Sequence, residues 1–182
     1  MNRIVLVTLM LLLFQSCIPL RIAPDIDDYK VTKGKKFKRS LPKRHMFVFE
    51  DTKDADQFYQ YVNIKFALND ENVFDDIPFR LKGAQYFFSF YEVEIPDKTL
   101  NLFPVLFSAT LNAALGNEDE DISEPTEIRR DNFYIAIEVY SDLENDCLGI
   151  ESLSREAVLK YLRTLKNEYL TTHNYNEVVF KN

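Results

Sequence analysis

Tryptophan is absent from this chain, and glycine (4 residues), methionine (3), histidine (2) and cysteine (2) are scarce among its 182 positions. So few glycines exclude a collagen-like or low-complexity chain. The two histidines, His45 and His173, stand near opposite ends of the folded part, and no Cys/His set has metal-ligand spacing, so no metal or cofactor is expected. No serine sits in a Gly-x-Ser-x-Gly elbow, and a hydrolase nucleophile needs a base beside it. A glycine-rich phosphate loop is missing as well: Lys33-Gly34-Lys35 lacks the strand, the spacing and the Ser or Thr that such a loop requires. No catalytic residue is assigned on these grounds.

What the chain does have is rings. Fifteen Phe and ten Tyr bring aromatic content to 14%, with 46% hydrophobic and 28% charged residues. Large rings bury much area each, so a compact core is within reach of a chain this size. Charge is unevenly spread. Eight bases and no acid lie between Lys30 and Arg44, whereas residues 46–182 hold 26 of the 29 acids and only 12 of the 22 bases. A domain that acidic repels polyphosphate, which argues against nucleic-acid binding.

The amino terminus has its own pattern. Arg3 precedes an apolar run of eleven residues, Ile4–Phe14, broken only by Thr8. As a helix this run rises about 16 Å, far short of the roughly 30 Å hydrocarbon core. It fits the h-region of a secretory signal peptide over residues 1–16, not a permanent span. Phe14-Gln15-Ser16-Cys17 then resembles the lipobox of bacterial lipoproteins, in the looser form familiar in Bacteroidota. The resemblance implies cleavage before Cys17, lipidation of its sulfur and a membrane partner through that lipid. Ile18 stands where Asp would signal inner-membrane retention in enterobacteria, so by the same analogy the outer membrane is expected. Asp25-Ile26-Asp27-Asp28 loosely resembles the acidic signals that send some such lipoproteins to the cell surface.

Residues 17–44, basic from position 30, contain Pro19, Pro24, Gly34 and Pro42 and no sustained periodicity, so they read as a tether. A single mixed domain is expected over residues 45–182. Met46–Phe49 suits a buried strand, and Thr52 a cap for a helix with the stripe Ala55, Phe58, Tyr59, Val62 and Phe66, leaving Tyr61 outside it. Asn69–Ile77 reads as a loop. Gln85–Ile95 alternates as the strongest strand, with Phe79-Arg80-Leu81 pairing to it through a turn near Gly83. Phe103–Leu115 is a helix apolar nearly all round, which must be buried or face a partner. Glu118–Glu127 is an acidic loop and Phe133–Tyr140 another strand. Ser154 caps a last helix with the stripe Val158, Leu162, Leu165 and Tyr169, and Glu177–Phe180 adds an edge strand. The fold class is α/β or α+β: a single sheet of four to five strands packed with three helices, with a ferredoxin-like βαββαβ order as one arrangement.

Three groups of side chains bear on chemistry. Asp142, Glu144 and Asp146 could gather a hard cation, but Cys147 and Leu153 stand where an EF-hand needs Gly and Glu. The same acids disfavour a thiolate at Cys147, which reads as a buried, inert thiol. Glu92 and Glu94 on one strand face are similar to glycosidase carboxylate pairs, though alternation on an exposed face explains them too. The expected function is therefore a membrane-anchored cell-envelope lipoprotein, a protein-binding or structural module with an envelope protein as partner. The alternative is an envelope hydrolase using carboxylates.

Overall fold

A computed structural model describes residues 17–53, 56–115 and 124–175. The signal-peptide stretch, Ala55, most of the Glu118–Glu127 segment and the expected edge strand Glu177–Phe180 lie outside them. The fold is α+β. Strands β1 (Cys17–Arg21), β2 (Lys30–Lys33), β3 (His45–Asp51), β4 (Ile77–Leu81), β5 (Ala84–Asn101) and β6 (Thr126–Tyr140) form an antiparallel sheet. Its hydrogen-bonded order is β1-β5-β6-β3-β2, with β4 also on β5. Helices α1 (Gly34–Phe37), α2 (Gln57–Phe66), α3 (Phe103–Leu115) and α4 (Arg155–Thr171) complete the described elements. The α/β alternative, which needs a parallel sheet, falls. The ferredoxin-like order falls too, because β3 is flanked by β6 and by β2, a strand that precedes it.

The chain groups into two compact units, Met1–Pro24 with Ile95–Asn132 and Asp25–Glu94 with Phe133–Asn182, and not along the expected boundaries. The second carries the large core. On one side of the sheet Phe47, Phe49, Phe88, Phe90, Ile135 and Ile137 meet Phe58, Tyr61 and Val62 of α2 and Val158, Leu162, Leu165 and Tyr169 of α4, all buried. The expected α4 stripe is thus buried in full. Tyr61, expected off the α2 stripe, is fully buried: its hydroxyl reaches Leu165 O and Glu168 Oε1, 3.3 and 2.8 Å, so a polar tip is satisfied while the ring packs. Gly83 and Lys82 both take positive φ, 85° and 49°, between paired Leu81 and Ala84. That is a two-residue hairpin turn of the kind whose twist matches its strands.

Residues 25–44 are not a tether here; they belong to the second unit. Strand β2 pairs with β3 from Lys30↔Val48 to Lys33↔His45. Gly34 N–H donates to Arg44 O at 3.0 Å and Lys35 N–H to Pro42 O at 3.1 Å, folding the basic stretch back on itself. Leu41 is buried, and the Phe37 ring meets Tyr134 edge-on at 5.4 Å. Gly34 follows a strand after all, yet its role is close packing: a Cβ there would sit 2.4 Å from Pro42 O and 2.8 Å from Met46 Sδ. Most of the bases (Lys30, Lys33, Lys35, Lys36, Arg39 and Lys43) stay exposed, so their charge hides the few apolar residues that hold the segment down.

The acidic cluster is likewise put to structural use. Ile26 is buried, and Asp28 pairs with the buried Lys166 and with Arg163 at 2.9 Å. The Lys166 hydrogen bond holds the Asp28 carboxyl below the ordinary carboxylate range.

Candidate functional site

In the first unit, Cys17 opens β1 and lies opposite Asn101 of β5, followed by Ile18↔Leu100 and Pro19↔Thr99. Asn101 also shapes the next element: its Oδ1 accepts the Phe103 N–H at 3.0 Å, an Asx turn leading into α3. Pro104 sits in the first turn, where its missing N–H costs nothing. The expected lipidation residue and the start of the most apolar helix are thus joined through one residue.

In the second unit, His45 and Asp146 meet across 101 positions of sequence. His45 Nδ1 lies 2.8 Å from Asp146 Oδ2, which also accepts the His45 N–H at 3.2 Å. They line a groove of about 550 Å³ with Lys33, Glu144 and Ser152. Both ends of the pair are in loops or at a strand start, so no sequence periodicity announces it. Glu144 is spent on structure: it accepts from Ser152 Oγ at 2.7 Å, from Ser154 Oγ and from Leu153 N–H at 3.2 Å. Those hydroxyls, Ser154 first, hold its carboxyl below the ordinary value. With Glu144 and Asp146 committed elsewhere, the three acids of 142–146 do not converge, and among the described residues no group of acids, His and Cys could hold a metal. Cys147 is buried, its Sγ 3.6 Å from Glu144 O, and burial pushes the thiol up, as an inert cysteine requires.

The second polar cluster lies where β3 ends. Asp51 accepts the Tyr169 hydroxyl at 2.9 and 3.0 Å on its two oxygens, and the Lys53 N–H at 3.0 Å. Lys53 Nζ donates to Tyr169 O and Thr172 O, 2.5 and 2.6 Å, capping the carbonyl end of α4, and lies 4.5 Å above the Tyr169 ring. Glu92, on β5, lies close enough to Asp51 and to Asp56 at the start of α2 for their charges to act on it. Burial raises the carboxyls of both Asp51 and Glu92, and for Glu92 the charges of Asp56 and Asp51 add to it. Glu92 and Glu94 are both exposed and alternate with buried Val93 and Ile95, so they share one strand face as expected, and the charges of Asp56 and Asp51 act on Glu92 as well. Asp51, Lys53 and Tyr169 carried no functional signal in the sequence beyond an acid directly after a buried run. The adjoining cavity, about 420 Å³, is lined by Thr52, Lys53, Gln57, Leu170, His173 and Tyr175; neither raised acid is among them.

A pH dependence follows. A carboxyl raised by folding is penalised when ionised; the penalty is complete above its folded value and relieved as pH falls through the ordinary carboxylate range. Glu92→Gln keeps the shape of the side chain and removes the charge. We expect thermal unfolding to show the variant more stable than wild type at neutral pH and level with it well below the ordinary value of 4.5. Equal stability at both would remove the charge argument.

The opposite sheet face buries Glu138, whose Oε1 accepts the Tyr91 hydroxyl at 3.0 Å. Arg44 NH1 stands 3.5 Å from its Oε2, and the guanidinium lies 4.9 Å above the Tyr140 ring. A base from the former tether thereby neutralises a buried acid. Comparison with known proteins gives no match: no family model, no curated protein and no solved structure is similar to the chain.

Proposed function

We propose that this protein is a cell-envelope lipoprotein, attached to a membrane through lipid on Cys17, whose folded part binds or supports a protein partner. The observation that carries the reading is the eleven-residue apolar run after Arg3 ending at Phe14-Gln15-Ser16-Cys17. Such a run is too short to cross a bilayer, and several acyl chains on one sulfur hold a protein firmly, at about 0.8 kcal/mol per buried CH₂. The outer membrane is the proposed location, by the identity of Ile18. Among the described residues no helix is long and apolar enough to cross a membrane. The polar clusters support a non-catalytic role, because Asp51, Glu144 and Lys53 each hold a helix end or a loop in place. Pull-down of the wild-type protein from detergent-solubilised envelope, beside a Cys17→Ala control, is expected to retain one specific envelope protein. Recovery of none would sink the binding role.

The second reading, an envelope hydrolase using carboxylates, draws support from the raised Asp51 and Glu92 carboxyls near one another. It requires that Glu92→Gln abolish turnover of a glycan or peptide substrate while leaving the fold intact.

A further inference from the structure

Helix α3 leaves its largest apolar side chains uncovered. Phe103, Leu106, Phe107 and Leu111 are all exposed, Phe107 most at 58%. Steps of three and four residues place them on one face of the helix, and the Phe103 and Phe107 rings stack along it with centroids 5.9 Å apart. The half-buried residues are Pro104, Val105, Ser108 and Asn112. Thr110, exposed within the apolar face, turns its hydroxyl back onto Leu106 O at 2.6 Å. No charged side chain occurs from Leu102 to Gly116. Single exposed apolar residues are ordinary, but a continuous stripe of them marks a contact surface.

Its position says what the surface meets. Cys17 faces Asn101 across the β1–β5 ladder, and Asn101 Oδ1 holds the first N–H of α3. Directly opposed residues of antiparallel strands lie only about 5 Å apart. Acyl chains on Cys17 must enter the bilayer, which brings the start of α3 to the level of the headgroups. Thirteen residues rise about 20 Å, too little to cross the roughly 30 Å core, so the helix has the length to lie along the interface and not to span it.

We propose that α3 is a second membrane contact: its Phe103, Leu106, Phe107 and Leu111 face rests at the acyl-chain boundary of the leaflet that holds the Cys17 lipid. This deepens the anchored reading above and rests on it for the position of Cys17. Stable attachment generally takes two signals, and a short apolar helix beside a lipidated residue supplies the second.

The chain's lack of tryptophan makes the test direct. Phe107→Trp introduces a sole indole on the proposed face, with Leu111→Trp as a second reporter should the first fail to fold. The lipidated mature product, beginning at Cys17, is reconstituted in phosphatidylethanolamine/phosphatidylglycerol vesicles, with and without brominated acyl chains. We expect a blue-shifted emission, quenched by the bromine and shielded from aqueous iodide. In the unlipidated Cys17→Ser chain, replacing Phe103 and Phe107 by Ser should weaken vesicle binding about tenfold or more, since burying one Phe is worth at least that factor. Iodide quenching of vesicle-bound protein overturns the proposal. So does an indole shielded from both quenchers in a dimer, which would make a second copy the cover. If mass spectrometry finds Cys17 unmodified, the anchor fails by itself; bromine quenching in the Cys17→Ser chain would still support contact between α3 and lipid.

Discussion

Replacing Cys17 by Ala is expected to shift the protein from the membrane pellet to the soluble fraction, the largest change any single substitution here should produce. The argument is one of magnitude. A single fourteen-carbon chain gives only marginal binding, with an association constant near 10⁴ M⁻¹. Two or more chains on one cysteine multiply such constants, so wild-type protein stays bound while the variant loses the whole term at once. What remains is the weaker contact proposed for α3. Fractionation by ultracentrifugation, with mass spectrometry of the mature amino terminus, checks this. A wild-type protein that keeps Met1, or an unmodified Cys17 in freely soluble material, would overturn the anchor.

The second large effect lies in the core. Phe58→Ala should cost about 3–5 kcal/mol, the range for removing a fully buried ring. Phe58 packs against Phe90 and Tyr169 at 4.8 and 4.9 Å between ring centroids, and against Phe49 and Tyr61 at 5.9 Å each. These partners come from β3, β5, α2 and α4, so the space cannot close by moving one element. Urea unfolding followed by circular dichroism measures it; a loss below about 1 kcal/mol would place Phe58 outside the region that decides stability.

The elements that were legible in the sequence are those whose burial is one-sided and periodic. The α4 stripe, the β4–β5 hairpin with Gly83 in its turn, and the buried β3 run all announce themselves through spacing. Two strands extend past their expected ends, β5 to Asn101 and β6 back to Thr126, where polar residues and Pro96 break the alternation without breaking the ladder. Residues 25–44 escaped because scattered apolar side chains, Ile26, Tyr29, Val31, Phe37 and Leu41, hold down a segment dense in lysine. The candidate sites were least legible of all. His45 with Asp146, and Asp51 with Tyr169, are brought together only by tertiary packing across more than a hundred residues.

Cys147 gives the protein a built-in gauge of its own opening. Its sulfur is buried among core residues, and the one other cysteine of the sequence is Cys17, the residue proposed to carry lipid. A maleimide or iodoacetamide added to the intact protein therefore reacts only as fast as the surrounding packing lets go. Loss of this cysteine's protection thus reports opening of the core around it.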